Sequence, residues 1–229
     1  MVPWRYTRAR HPHLPIRIVT VEREYGSGGA LIAKALATRL GWKLWDEELS
    51  SEIARVANVD VNAAKSCDER VDPLLYRLFR IYARGSYERA LSTGSDSHFD
   101  TDRMVQVLHK VIEEIGSQGN SVIVGRGGPY ILRHRPDMFS VFVYASDEEK
   151  VFRLKAIGKS EHEARQLVAE VDRDRAAFIQ HYFQKTWPHR PLYNMMINSR
   201  LGDEYVVESI VQQIALVDKF QPAPEVEAR

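Results

Sequence analysis

The feature that most constrains the fold is a β-branched run followed directly by a glycine cluster and an amphipathic segment. Residues 16–21 read I-R-I-V-T-V after Pro15, which predicts a strand. Residues 22–29 follow as E-R-E-Y-G-S-G-G. Residues 30–40 read A-L-I-A-K-A-L-A-T-R-L and predict a helix that ends at Gly41. A strand, a glycine turn and a helix in this order predict the first unit of a parallel α/β sheet.

The rest of the chain continues this alternation. We predict further strands at residues 42–45, 121–124, 139–144 and 194–198, and helices at 47–57, 73–91, 101–116, 147–157, 161–184 and 203–216. The block 47–115 carries no strand signal, which predicts a helical insertion on the sheet. The expected fold class is therefore α/β, a three-layer sandwich with a parallel sheet. The length of 229 residues fits one main domain over 16–216, preceded by a disordered or loosely docked tail at 1–15 and followed by a tail at 217–229.

Composition excludes several classes of protein. A net charge of +1 gives no whole-protein case for nucleic-acid binding. Cys67 is the only cysteine, so an intrachain disulfide and a cysteine zinc cluster are excluded, and a reducing compartment is indicated. The longest apolar runs fall short of 18 residues, so no membrane span is expected. We therefore expect a cytoplasmic protein, whose oligomeric state the sequence leaves open.

The glycine cluster has the composition of a phosphate-binding turn. Glycine lets the backbone approach an anion closely, and the positive end of the following helix dipole faces the same point. The residues placed for this role are Gly26, Ser27, Gly28 and Gly29. They are predicted to hold nucleotide phosphates, with a structural tight turn as the open alternative.

The turn lacks the lysine of the full P-loop pattern, G-x-x-x-x-G-K-[ST]. If Gly28 is the second glycine of that pattern, Arg23 stands at the first, Gly29 at the lysine and Ala30 at the hydroxyl residue. If Gly29 is the second glycine, the lysine position falls on Ala30. Neither register supplies the lysine that neutralises the β- and γ-phosphates.

Two further polar groups follow predicted strands. Asp46 ends the strand at 42–45, and Arg126 lies in the G-R-G-G run at 125–128. Ligands of parallel α/β sheets bind beyond the carboxyl ends of the strands, so we expect these segments and the glycine turn to form one site. Arginine suits an anionic substrate because its planar fork binds phosphate bidentately. Three roles stay open for Asp46: holding Mg²⁺ through water, accepting a hydrogen bond from a substrate, or capping the next helix.

Four stretches carry a family resemblance. Residues 19–49 read V-T-V-E-R-E-Y-G-S-G-G-A-L-I-A-K-A-L-A-T-R-L-G-W-K-L-W-D-E-E-L, followed by S-V-I-V-G-R-G-G (121–128), V-D-R-D-R-A-A-F (171–178) and L-Y-N-M-M-I-N-S (192–199). This series resembles the cytidylate-kinase-like family, a divergent branch of the nucleoside monophosphate kinases. The resemblance implies a P-loop core, a helical monophosphate-binding region at 47–115 and an arginine-bearing lid at 158–190. It also implies a reaction in which ATP, with Mg²⁺, phosphorylates CMP or dCMP to the diphosphate.

The same resemblance implies roles for single residues. Phosphates of ATP are expected on Gly26–Gly29, and the acceptor on Asp46 and Arg126. The expected catalytic residues are three arginines, Arg23, Arg173 and Arg175. No metal site of the protein's own is implied. For the last two arginines, a solvated face of a charged helix is the open alternative.

The sequence also departs from the family pattern. Besides the missing lysine, Ala30 stands where relatives often carry arginine, and Gly127 stands where true cytidylate kinases have a base-reading aspartate. Three alternative functions therefore stay open. They are a non-catalytic nucleotide-binding regulatory module, a kinase for another small acceptor, and a structural or partner-binding protein that kept the fold and lost the site.

Overall fold

The computed structural model describes residues 14–46, 48–49, 52 and 101–220. The sheet in this part of the chain has five strands, β1 (Ile18–Arg23), β2 (Lys43–Trp45), β3 (Ser121–Val124), β4 (Met138–Tyr144) and β5 (Met195–Asn198). They lie in the order β2-β3-β1-β4-β5, and each neighbouring pair is parallel. The first strand of the chain is therefore central, and its carboxyl end opens in the middle of one sheet edge.

Helices cover both faces of the sheet. They are α1 (Gly29–Leu40), α2 (Thr101–Gln118), α3 (Gly128–Ile131), α4 (Asp147–Ala156), α5 (Glu161–Phe183) and α6 (Asp203–Phe220), with 3₁₀ turns at Arg190–Leu192 and Ser199–Leu201. On one face Val19 and Val21 of β1 pack with α1 and α6. On the other, Ile18 packs in a core that includes Ile112 of α2 and Phe178 of α5. The prediction of an α/β sandwich around a parallel sheet is confirmed.

Some element boundaries differ from the prediction. The first strand begins two residues later and ends at Arg23, because its pairing with β4 continues to the partners Arg23 and Val143. The last helix continues to Phe220, past the expected start of the tail. The short α3 was not predicted. The predicted helices at 47–57 and 73–91 fall on residues outside the described part, apart from residues 48–49 and 52.

Within the described residues, no helix is both long enough and apolar enough to cross a membrane.

Candidate functional site

The glycine turn joins β1 to α1 through left-handed backbone. Gly26 and Gly28 both have φ of +79°, which glycine adopts without steric strain. Gly28 is the N-cap of α1, and no side chain of the described residues caps that helix. The first N–H groups of α1 have no partner within the helix, and they carry its positive dipole end. The turn therefore has the geometry of an anion site.

Ser27 holds the shape of this turn. Its hydroxyl donates to the carbonyl oxygen of Glu24 at 2.8 Å, and its amide donates to the same oxygen at 3.3 Å. The side chain is fully buried. The hydroxyl is thus committed to the turn, and any contact with a ligand would come from neighbouring backbone groups.

Three loop glycines each lie against a basic side chain. A Cβ at Gly26 would lie 3.0 Å from Cβ of Lys150, and a Cβ at Gly28 would lie 2.5 Å from Nη1 of Arg153. A Cβ at Gly29 would overlap Cβ of Arg23 and lie 2.9 Å from its Cγ. The positive charge around the turn therefore comes from side chains outside it, and only glycine leaves them room.

Lys150 and Arg153 come from α4, and the sequence reasoning missed both. The Lys150 ammonium pairs with Glu24 at 2.7 Å, Asp147 at 3.2 Å and Asp172 at 3.9 Å. Burial by itself would lower the pKa of Lys150, but the hydrogen bond and charge of Glu24, with the other two carboxylates, raise it. The signal that could have found these residues is their place on the helix that follows β4, the strand beside β1.

Arg153 is more accessible than Lys150. About a third of its side chain is exposed, and its guanidinium binds Asp203 at 2.9 Å and the carbonyl oxygen of Ser199 at 3.3 Å. These contacts hold the cation beside Gly28, at the entrance to α1.

The two predicted lid arginines on α5 have different surroundings. Arg175 is buried and donates from Nη1 to the carbonyl oxygen of Arg23 at 2.8 Å and to Asp172 at 3.1 Å. The Asp172 carboxylate also accepts the Tyr25 N–H at 2.8 Å. Burial raises the pKa of Asp172, and the charge of Arg175 opposes that rise. Arg173 is exposed. The structure therefore brings Arg175 to the turn and does not bring Arg173 there.

Arg126 and Asp46 meet at the ends of β3 and β2. Gly125, Arg126 and Gly127 have φ of +67°, +54° and +70°, a left-handed run in which a non-glycine residue is unusual. Arg126 is buried, and its Nη1 donates to the carbonyl oxygen of Asp46 at 2.6 Å. The Asp46 carboxylate lies 4.0 Å from this guanidinium and 3.9 Å from that of Arg23. Strained backbone of this kind concentrates at functional sites.

A second carboxylate at this edge, Glu22, was also missed. It is the next-to-last residue of β1, is 4% exposed, and accepts the Trp187 Nε1–H at 3.2 Å. Burial raises the pKa of Glu22, and the charges of Arg23 and Arg175 partly oppose this. The adjacent Gly127 admits no side chain here, because its Cβ would lie 2.6 Å from the ring of Phe183.

Comparisons with known proteins bear on the family and the fold of the chain. The model of the cytidylate kinase-like family matches residues 18–201, most of the chain. A solved structure of an uncharacterized protein from Eubacterium ventriosum is similar, with a TM-score of 0.62 and 23% identity over 87% of this chain and 98% of that one. No curated protein matches the sequence.

Two solved kinases are more distant likenesses. Shikimate kinase from Acinetobacter baumannii gives a TM-score of 0.49 at 16% identity, covering 90% of this chain and 96% of that one. A gluconokinase from Sinorhizobium meliloti 1021 gives 0.49 at 13% identity, covering 90% and 94%.

Proposed function

The chain belongs to the cytidylate kinase-like family, and from this premise we propose that it is a nucleoside monophosphate kinase that phosphorylates CMP or dCMP with Mg·ATP. One observation carries the proposal. The glycine-lined start of α1, which no side chain of the described residues caps, and the Arg126–Asp46 pair lie at the carboxyl ends of adjacent parallel strands. Phosphoryl transfer requires two phosphates held in line with their charge neutralised, and this edge offers a place for each.

In the proposed complex, the ATP phosphates lie on Gly26–Gly29 and receive hydrogen bonds from the backbone of the turn and of α1. The acceptor phosphate lies at Arg126, which has a left-handed backbone conformation and whose guanidinium is held at the end of β2 by its hydrogen bond to Asp46. Arginine remains charged at every physiological pH and binds phosphate through two parallel hydrogen bonds. Asp46 supports Arg126 through its carbonyl oxygen.

The missing lysine requires charge from elsewhere, since one positioned cation contributes about 10³-fold or more in phosphoryl transfer. Arg23 is the arginine closest in sequence to the glycine turn, and its side chain lies against Gly29. We assign it the catalytic role together with the lid arginines. Arg175 already contacts the end of β1. Arg173 would reach the phosphates only if α5 moves toward the turn, so its role depends on closure of the predicted lid at 158–190.

Mg²⁺ would enter with ATP. The carboxylate of Asp46 has the oxygen chemistry that this ion prefers, whereas Ala30 provides no hydroxyl at the usual P-loop position. The guanidinium groups near Asp46, at 3.9 and 4.0 Å, compete with a cation there. Water-mediated binding at Asp46 is therefore the arrangement that the residues allow, and the ion would neutralise charge between the phosphates.

An ADP-release assay with Mg·ATP and a panel of CMP, dCMP, UMP, AMP and GMP tests the proposal. We expect stimulation by CMP or dCMP that falls at least tenfold in Arg126→Ala, because a charge-assisted contact to phosphate is lost. Arg39→Ala is the matched control, since Arg39 lies exposed at the far end of α1. Turnover that no acceptor stimulates would overturn the proposal.

A second candidate function is favoured by Gly29 and Ala30, the positions that lack lysine. A non-catalytic nucleotide-binding module predicts a rise in Tm with ATP, since a ligand that binds only the folded state stabilises it, but no ADP release. A kinase for another small acceptor predicts ATP turnover that none of the five monophosphates stimulates.

A further inference from the structure

The buried carboxylate of Glu22 has a hydrogen-bonding oxygen that the proposed phosphate chemistry does not use. Its Oε2 accepts the Trp187 N–H at 3.2 Å. Within the described part of the chain, its Oε1 is buried and makes no hydrogen bond of normal length and angle, although the Gly127 backbone amide interacts with the carboxylate. Buried polar groups in folded proteins are nearly always paired, with protein or with water, so this oxygen needs a partner.

The Tyr193 hydroxyl beside it is a second buried polar group without a clear hydrogen-bond partner in the part of the chain that the structure describes. It is buried and lies against the Tyr130 hydroxyl, yet it makes no hydrogen bond of normal geometry among the described residues. Burial raises the pKa of Tyr130 to about 12 and also raises that of Tyr193, and the charge of Glu22 adds to both effects. The carboxylate and the two phenols therefore form one polar cluster.

Aromatic rings wall this cluster. The Phe142 ring lies 5.5 Å from that of Trp187, edge to face, and 5.1 Å from that of Tyr193. Trp187 shows which chemistry the carboxylate accepts, because its planar indole already presents an N–H to Oε2. A planar ring with an N–H group could pack against the aromatic side chains and donate a hydrogen bond to the carboxylate, which only accepts.

The cluster lies on the acceptor side of the candidate site. Side chains alternate along a strand, so Glu22 points to the face opposite that of Val21, which packs with α1 and α6. The backbone amide of Gly127 interacts with the Glu22 carboxylate, and Gly127 directly follows Arg126. An acceptor whose phosphate lies at Arg126 would therefore have its ring near Glu22.

We propose that Glu22, with Tyr193, is the specificity-determining pair for the acceptor and binds an N–H donor on a planar base. The inference rests on the proposed function. The donor has two sources among monophosphates, an exocyclic amino group as in CMP or a ring N–H as in UMP. In this structure Trp187 covers the cluster, so the ring enters when the segment after α5 moves aside.

Glu22→Gln tests this proposal, because the amide keeps the shape but replaces one accepting oxygen with a donor. We expect kcat/KM for the best acceptor to fall roughly 10- to 100-fold, the usual cost of losing a hydrogen bond to a charged group. The KM for ATP should stay within about twofold, since the phosphate turn is unchanged. The ratio of kcat/KM for CMP over UMP should move toward one, a change that a merely structural role would not produce.

Tyr193→Phe is the second variant, and Glu114→Gln, an exposed position on α2, is the control. Tyr193→Phe should raise the KM for the acceptor and so lower kcat/KM, as Glu22→Gln does. Glu114→Gln should have the same constants as the wild type. Isothermal titration of CMP and UMP onto the full chain without ATP separates this inference from the proposed function. Binding that Glu22→Gln weakens would support it even without turnover.

Two results would overturn the inference. One is a Glu22→Gln variant that turns over the acceptors with wild-type constants and preference, which would leave water as the partner of Oε1. The other is a wild-type chain that binds none of the five monophosphates. If the wild type turns over an acceptor and Glu22→Gln does so equally well, the inference fails alone and the kinase proposal stands.

Discussion

Arg175 donates a hydrogen bond from Nη1 to the carbonyl oxygen of Arg23, at 2.8 Å, and so joins the middle of α5 to the last residue of β1. The same guanidinium pairs with Asp172, whose carboxylate accepts the Tyr25 N–H. The helix that bears the predicted lid arginines is therefore attached to the glycine turn at two points. Any movement of α5 would be transmitted to the backbone from which the turn begins.

Arg175→Ala should destabilise the fold by about 3 kcal/mol, because it leaves the largely buried Asp172 without its closest cation. Arg173→Ala, two residues away and exposed, should change the free energy of unfolding by less than about 0.5 kcal/mol. Urea unfolding of both variants measures the difference. Equal losses would contradict the structural role that we assign to Arg175.

Lys150→Met should also destabilise the fold, by about 3 kcal/mol, since the buried ammonium balances Glu24 and Asp172. Lys155→Met is the control, because Lys155 is half exposed and its pair with Glu161 contributes little. The folded pKa of Lys150 is raised. The contribution of Lys150 to stability should therefore be complete below its unfolded pKa of about 10.4, and it should be lost as the pH rises through its folded pKa. A difference between Lys150→Met and wild type that vanishes near pH 7 would be inconsistent with this pairing.

Gly29→Lys, which inserts a lysine at the P-loop position, should destabilise the chain by about 2 kcal/mol and should not improve ATP binding. The new Cβ would overlap Cβ of Arg23. Adding Arg23→Gly removes the overlap, so the double variant should be more stable than the sum of the single changes predicts. Thermal unfolding with and without Mg·ATP measures both effects. Additive losses would show that Arg23 does not block this position.

Glu22 should make stability depend on pH in a defined direction. Its folded pKa is raised above the usual 4.5, so the folded state binds more protons than the unfolded state in the interval between the two values. The contribution of Glu22 is greatest below the unfolded pKa and declines as the pH rises through the folded pKa. As the pH rises above 4.5, the wild type should lose more stability than Glu22→Gln. Parallel stability curves for the two proteins would contradict the direction of this shift.

Much of the local structure could be predicted from the sequence. The helix predicted at 147–157 begins at Asp147, directly after Ser146, which caps it and forms a capping box with Glu149. The short apolar run at 121–124 is a buried strand with the predicted boundaries. These predictions succeeded because they depend on neighbours in the chain. The end of β1 was missed because its length is set by hydrogen bonds to β4, more than 100 residues away.

The candidate site also contains residues that the sequence identified and residues that it missed. Gly26–Gly29, Asp46 and Arg126 were identified as strand-end residues, and the structure places them on one edge of the sheet. Their roles stay predictions. Arg173 was grouped with Arg175 because the resemblance matches both to lid arginines, yet two residues that lie two positions apart on a helix face different sides. Glu22 was passed over because a glutamate at the end of a strand has no sequence signal of burial.

The sequence by itself determined the succession of strands and helices along the chain, the glycine turn and the absence of a lysine in that turn. These features depend on local propensity and pattern. Only the tertiary structure decided which cations surround that turn. Lys150 and Arg153 reach it because β4 pairs with β1, and Arg175 because α5 packs across the sheet. The tertiary structure also buried Glu22 beneath Trp187. Side chains that meet across a parallel sheet are far apart in the chain, so their juxtaposition depends on how the elements pack.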